Sequence, residues 1–372
     1  MKHGWEIAEF EKCLEKVTYT SKIQRKDFKE EGIYPIVSQE KDFINGYWDN
    51  EEDLFKVEKP VVLFGDHTQV IKFIDFDFVL GADGVKILKP KDKIDSKFFY
   101  YFLQNVDLGS LGYARHYRLL KEINIAYPKS LPEQQYIVSI LDKAFAAIAK
   151  AKANAEQNLK NARELFESYL QGVFDSGNYQ TLEFGEVCEL VGGSQPSKEH
   201  FIYEPKDGYI RLIQVRDYRT DKFITYIPKS SAKRFCDKED IMIGRYGPPI
   251  FGIFKGLEGA YNVALMKAVV NDKLCDRTYF YWFLQNNKIR EFVEQSSKRA
   301  VGQDGVRKEL LEKYPVPVPS LKEQKTIVRQ LDALRAETQK LEAVYQKKIE
   351  DLEELKKSIL QKAFSGELRT EK

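Results

Sequence analysis

At 372 residues the chain is long enough for two or three domains with their own cores, and 43% hydrophobic with 31% charged residues is an ordinary soluble composition. No stretch approaches the roughly 20 apolar residues that span a bilayer, and Met1-Lys2-His3-Gly4-Trp5-Glu6 has no apolar run of the signal-peptide kind. The net charge is only +2, with 19 Lys and Arg against 22 Asp and Glu in residues 1–127 and 22 against 19 in 179–314, so charge alone does not nominate nucleic acid.

Residues 1–127 read as a first globular half of mixed α/β type. A short opening segment, Trp5 to Val17, precedes strand-like runs at Tyr34 to Val37, Pro60 to Phe64, Val70 to Ile74, Phe78 to Leu80 and Val85 to Leu88. These runs are rich in Val, Ile and Phe and are broken by Gly and Asp. Lys97 to Asn105 predicts a helix with an aromatic face, and Phe99, Tyr100 and Tyr101 on it are expected in the core. Arg115 to Glu122 follows, and Ile123 to Tyr127 leads into Pro128.

Residues 128–178 hold a long helix and a linker. Pro132 suits a first helical turn. The turn-forming cluster Asp175-Ser176-Gly177-Asn178 ends the segment. The stretch Leu131 to Phe174 returns as Leu321 to Phe364. Leu131-Pro132-Glu133-Gln134-Gln135-Tyr136-Ile137-Val138 becomes Leu321-Lys322-Glu323-Gln324-Lys325-Thr326-Ile327-Val328, and Leu170-Gln171 becomes Leu360-Gln361, all at an offset of 190. A constant offset is what a packed helix requires, since one extra residue rotates every later side chain off its face.

An apolar stripe at heptad spacing runs through both copies. In the first it reads Ile137, Leu141, Ala144, Ile148, Ala151, Ala155, Ala162, Leu165 and Tyr169. In the second it reads Ile327, Leu331, Leu334, Leu341, Tyr345, Leu352, Leu355 and Ile359, with Thr338, Lys348 and Asn158 interrupting the two seams. About 42 residues at 1.5 Å each give a rod of about 63 Å.

Residues 179–314 repeat the first half loosely, and 315–372 hold the second helix and a polar tail. Leu182-Glu183-Phe184 echoes Ala8-Glu9-Phe10, and Thr278 to Asn286 matches Lys97 to Asn105 at an offset of 181. Arg211 to Val215, Ile241 to Ile243 and Ala268 to Val270 predict strands, while Tyr281 and Trp282 are expected in the core. The fold class is therefore α+β: two mixed α/β domains separated by two long helices, a pseudo-two-fold repeat suited to antiparallel packing.

Catalytic patterns are hard to find. No G-x-x-x-x-G-K-[ST] loop supports nucleotide hydrolysis. Gly81-Ala82-Asp83-Gly84 and Gly192-Gly193-Ser194-Gln195-Pro196 predict turns. Gly247-Pro248-Pro249-Ile250 lacks the polar residue and the aromatic that flank the Pro pair of DNA adenine methyltransferases. Asp66 and His67 have no second carboxylate at metal-ligand spacing. Cys13, Cys188, Cys236 and Cys275 show no paired C-x-x-C spacing, which argues against a zinc site or disulfide frame and for buried free thiols in a reducing compartment.

Binding candidates sit on Gly-rich loops. Gly65-Asp66-His67-Thr68-Gln69 follows the run Val61 to Phe64, so it should emerge at a strand end. Arg115, His116, Tyr117 and Arg118 cluster further on. In the second half Arg245 and Tyr246 follow Ile241 to Ile243, the loop carrying Lys298, Arg299 and Gln303 corresponds in position to the Arg115 loop, and Arg216 and Lys198 are further candidates. Arg forks and amides read base edges, and Tyr or His contact phosphate and sugar.

The two Leu-x-Glu-Gln-x-x-Ile-Val helices, each closing a variable domain, resemble the specificity subunit of type I restriction-modification systems, over essentially the whole chain. Gly65-Asp66-His67-Thr68 and Gly244-Arg245-Tyr246-Gly247 are similar to segments of that family's target recognition domains. The resemblance implies target recognition domains at 1–127 and 179–314, each reading half of a split double-stranded DNA target, and an antiparallel helix pair as a ruler. It implies a cytoplasmic, non-catalytic subunit acting in phage defence with two modification (methyltransferase) subunits and with restriction (motor-nuclease) subunits. S-adenosylmethionine, ATP and Mg2+ would belong to those partners, with no cofactor in this chain.

The rod length, about 63 Å, approaches two DNA turns of roughly 34–36 Å. Inserting one heptad into both helices is expected to lengthen the spacer or abolish activity; an unchanged target with full activity defeats the ruler. The competing reading is a coiled-coil protein-interaction scaffold, which would give no base-specific DNA protection in two separated blocks. A stand-alone nuclease or methyltransferase would instead bind cofactor as an isolated chain.

Overall fold

The computed structural model describes residues 4–109, 112, 114–175, 179–247, 250–297, 305–365 and 367. The chain divides into two compact units, Met1–Glu156 with Gln346–Lys372, and Gln157–Tyr345. Each unit thus holds one globular domain and a half of each long helix.

In the first unit the strands are β1 (Trp5–Glu9), β2 (Lys22–Ile23), β3 (Tyr34–Val37), β4 (Gly46–Trp48), β5 (Leu54–Phe55), β6 (Val61–Gly65), β7 (Ile71–Ile74), β8 (Phe78–Gly81) and β9 (Val85–Leu88). Helices α1 (Ser96–Gln104) and α2 (Tyr117–Lys121) follow, then β10 (Asn124–Pro128) and the long helix α3 (Leu131–Asp175). In one sheet β3 lies between antiparallel β4 and parallel β8, and β8 also pairs with β2 and β5. In a second, β6 lies between β7 and β9, both antiparallel. β1 pairs antiparallel with β10 and closes the domain beside the start of α3.

The second unit opens with the end of α3 and continues with β11 (Thr181–Glu183), α4 (Phe184–Val187), β12 (Cys188–Gly192), β13 (Tyr209–Ile213), β14 (Tyr226–Pro228), β15 (Phe235–Cys236) and β16 (Ile241–Gly244). Then come β17 (Ile253–Phe254), β18 (Gly259–Tyr261), β19 (Leu265–Val270), α5 (Arg277–Leu284), α6 (Asn287–Ser297), α7 (Lys308–Leu311), β20 (Pro315–Pro317) and the long helix α8 (Leu321–Ser365). Its topology repeats the first. β13 lies between antiparallel β14 and parallel β18, β16 lies between β17 and β19, and β11 closes on β20. The additional strand β12 extends the second sheet beyond β19.

The repeated Leu-x-Glu-Gln motif has a physical basis. Gln134 and Gln324 are both fully buried at the start of their helices. Gln134 Oε1 accepts the Asp95 amide at 2.7 Å, and its Nε2 donates to the Lys93 and Pro128 carbonyls at 3.0 and 2.8 Å. Gln324 makes the same three bonds with the Asp276 amide (2.6 Å) and the Leu274 and Pro319 carbonyls (3.0 and 2.8 Å). Asp95 and Asp276 cap α1 and α5, each carboxylate accepting two first-turn amides. One amide side chain therefore ties each long helix to the aromatic helix of its own domain.

A second tie lies two turns on. Tyr101 donates to Asp142 at 2.5 Å, and the aligned Trp282 indole donates to Asp332 at 2.8 Å. Burial, with Asp142 beside it, pushes the Tyr101 phenol above its ordinary range. Phe99, Tyr101 and Trp282 are buried as expected, while Tyr100 and Tyr281 are half-buried.

The long helices run antiparallel in each unit. In the first, Lys152 of α3 pairs with Glu353 of α8, and Lys356 lies 5.3 Å from the Phe145 ring centre. In the second, Arg163 pairs with Glu342 at 3.2 Å, Arg335 lies 5.1 Å from the Phe166 ring centre, and Tyr169 donates to Gln330 at 3.4 Å. The heptad seam holds through Ile137, Leu141, Ile148, Ala155 and Ala162, and through Ile327, Leu331 and buried Thr338. It does not hold at Leu165, Tyr169, Leu341 and Leu355, which are exposed. Phe166, Leu170 and Phe174 are buried there instead, against Trp282, Phe283 and Tyr279. At Leu165 and Tyr169 the face shifts because that end of α3 packs on α5 of the second domain as well as on α8, and a straight helix drifts from a 3.5-residue repeat.

Candidate nucleic-acid interface

The candidate loops converge at strand ends, in the same way in both domains. In the first, Gly65 ends β6, and the next amide, Asp66, donates to the Gly84 carbonyl before β9 at 2.7 Å. In the second, Gly244 ends β16, and Arg245 donates to the Ala264 carbonyl before β19 at 2.8 Å. The His116 amide donates to the Asp66 carbonyl at 2.7 Å, and the Val306 amide to the Arg245 carbonyl at 3.0 Å. The two loops expected to correspond, before His116 and before Val306, are thus anchored by equivalent bonds. Lys298, Arg299 and Gln303 themselves lie outside the described residues.

Two of the first-domain candidates are structural. Asp66 is 3% and His116 2% exposed. Asp66 Oδ1 accepts the Tyr117 amide at 2.8 Å, and His116 Nδ1 lies 3.1 Å from the Asp66 carbonyl. They brace the loop that carries Arg115 and the start of α2 that carries Arg118, and both arginines are exposed. Tyr117 is half-buried between Phe10 and Phe64, with the Lys86 and Lys121 ammonium groups 5.3 and 5.5 Å from its ring centre. Thr68 is exposed but donates to the Gln39 carbonyl at 2.7 Å, and Gln69 donates to the Gly109 carbonyl at 2.8 Å.

The loop after β3 is held from below by Lys72. This residue is buried, and its ammonium donates to the Asp42 and Phe43 carbonyls and to Asn45 Oδ1. Burial pushes its pKa down to about 8, although Glu40 and Asp42 act in the opposite direction.

In the second domain the Arg245 guanidinium lies 4.9 Å from the Tyr246 ring centre, a stack that restricts its rotamers. Tyr246 forms a bridge with Gly305. Arg216 is exposed and rests 5.4 Å from the Phe223 ring centre. Lys198 is exposed on the short 3-10 turn Lys198–His200. The four cysteines are free and buried, and burial pushes the Cys236 and Cys275 thiols up to about 11 and 12. No helix among the described residues is long and apolar enough to cross a membrane.

A family model described as the type I restriction modification DNA specificity domain matches residues 4–160 and again 177–351, once per repeat. The chain belongs to this type I restriction-modification specificity family. The specificity subunit of the Escherichia coli EcoR124I/EcoR124II enzyme is 25% identical over 336 residues, 83% of this chain and 81% of that protein. The E. coli EcoBI specificity subunit is 25% identical over 366 residues, 87% of this chain and 75% of its own length. Among solved structures, a chain from a study of assembly and conformational transition of the type I R-M system superposes with a TM-score of 0.77 over 99% of both chains, at 16% identity. The HsdS subunit of Thermoanaerobacter tengcongensis gives 0.54 over 98% of both chains, at 15% identity. These likenesses carry the fold. The doubled family match makes this a specificity chain with two DNA specificity domains.

Proposed function

We propose that this chain is the non-catalytic specificity subunit of a type I restriction-modification complex. The domain at 1–127 reads one half of a split double-stranded DNA target, and that at 179–314 reads the other. The observation that carries this is the shared frame of the two recognition edges. The same two backbone bonds hold Asp66 and Arg245 in place, while the side chains around them differ. A common frame with different side chains is what reading two different half-sites requires. The exposed Arg115, Arg118 and Arg216 and the stacked Arg245 supply forks for base edges or phosphates.

The partners on this reading are two modification subunits, which methylate adenine with S-adenosylmethionine, and restriction subunits that use ATP and Mg2+. The long helices are the candidates for setting the unread spacer, which the heptad insertion tests. The compartment is the cytoplasm.

The test is a methylome. The chain is expressed with its modification subunit in a host without adenine methylation, and N6-methyladenine is mapped with and without the chain. A bipartite motif that depends on the chain is expected. Arg245→Ala should relax one half-site by roughly 5- to 150-fold and leave the other unchanged, as expected for one fork worth about 1–3 kcal/mol. No methylation from an intact complex would overturn the reading in favour of a protein-interaction scaffold.

A further inference from the structure

We infer that Gln39 is a specificity-determining residue of the first domain and that it reads an adenine edge. This rests on the function proposed above. The residue follows β3, and no motif marks it. The parallel pairing of β3 with β8 brings it to the edge formed by the loops after β6 and β8.

Its amide is held in one orientation. Gln39 Oε1 accepts the His67 amide at 3.1 Å, and its own carbonyl accepts the Thr68 hydroxyl at 2.7 Å. A backbone N–H can face only the oxygen, so the two ends of the side-chain amide cannot interchange. Glycines bound it on two sides. A Cβ at Gly65 would come within 2.9 Å of Gln39 Cβ, and one at Gly84, where φ is +77°, within 2.9 Å of Oε1 and 3.0 Å of Nε2. The side chain is half-buried, and among the described residues no group accepts from Nε2.

A fixed amide presents a donor, Nε2, beside an acceptor, the second lone pair of Oε1. In the major groove only adenine offers the complement, an N7 acceptor beside an N6 amine donor. Guanine offers two acceptors and would leave Oε1 facing O6. Gln39 therefore selects adenine at one stacked position, distinct from the base that is methylated.

The methylome of the full complex is compared for the wild-type chain, Gln39→Met and Gln39→Glu. The wild type should require adenine at a second, unmethylated position of one half-site. Gln39→Met keeps the length without the hydrogen bonds and should relax that position alone by roughly 5- to 150-fold. Gln39→Glu still accepts from the His67 amide but offers only acceptors outward, and should shift the position toward cytosine, whose N4 amine donates. Unchanged preferences in both variants, or a uniform loss across both half-sites with a lowered melting temperature, overturn the inference while the wild-type motif upholds the proposed function. Absence of any motif with the wild-type chain takes down both.

Discussion

Gln134→Ala is expected to destabilise the first unit by about 3 kcal/mol, and Gln324→Ala the second by a similar amount. Each substitution strands one buried amide and two carbonyls, the partners at 2.6–3.0 Å described above. A buried group left without a partner costs about 1–3 kcal/mol, and three such costs overlap because water can enter the space left by the side chain. Gln→Glu at either position should be worse than Ala, since a carboxylate would face two carbonyls. Denaturant unfolding with hydrogen exchange read by mass spectrometry checks this. Protection of the Asp95 amide should fall in the first variant and that of Asp276 in the second, each without effect on the other. A loss under about 0.5 kcal/mol would show that the repeated glutamine is not the tie proposed.

Two neighbouring glycines give the other large effect. Gly192 ends β12, and a Cβ there would meet nothing within 4 Å. At Gly193 a Cβ would lie 2.0 Å from the Asn262 carbonyl oxygen and 2.8 Å from the Tyr261 ring. The Gly193 and Ser194 amides donate to the Leu265 and Tyr261 carbonyls at 3.0 and 3.2 Å, which fixes the segment against the loop between β18 and β19. Backbone cannot yield by that distance without breaking those bonds. Gly193→Ala should therefore cost about 2–4 kcal/mol and erase the second half-site from the methylome. Gly192→Ala should stay within about 0.5 kcal/mol and leave the motif unchanged. Equal behaviour of the two variants would contradict the close approach.

Much of this fold is legible in the sequence, and the exceptions share a cause. The long helices show themselves through an unbroken offset over more than 40 residues, which no loop preserves. The strands β3, β6 and β8 are continuous apolar runs because they are buried on pairing, and β7 and β9 are apolar apart from one lysine each, Lys72 and Lys86. β2, β5, β14, β15 and β18 are only 2 or 3 residues long and exist because a distant strand lies beside them, so no local pattern marks them. β13 ends at Ile213 and β19 starts at Leu265, which displaces the expected Arg211 to Val215 and Ala268 to Val270 to where the parallel partner and the long antiparallel partner set the register.

The same limit governs the candidate interface. Gly65 to Gln69 is recognisable as a strand-end loop from the apolar run before it. That Asp66 and His116 turn inward is decided by a bond between loops 50 residues apart. Gln39 reaches the edge by sheet pairing alone and carries no signal of its own. The glutamine of Leu-x-Glu-Gln is visible as a repeat, whereas its role as a tie needs the carbonyls that it meets.

The order of the units along the chain bears on how the molecule is made. The second unit, Gln157–Tyr345, is uninterrupted, while the first needs both Met1–Glu156 and Gln346–Lys372. Leu360 and Ala363 are buried in the first core, and the Phe364 ring centre lies 5.3 and 5.5 Å from those of Phe98 and Phe102. During synthesis the first domain leaves the ribosome early with that aromatic face uncovered. The last turns of α8 can cover it only after some 200 residues beyond Glu156 have been made, at about 5–20 residues per second. The domain translated first is therefore finished last, and for ten seconds or more, on the order set by that rate, it is the part of the nascent chain most exposed to chaperones and aggregation.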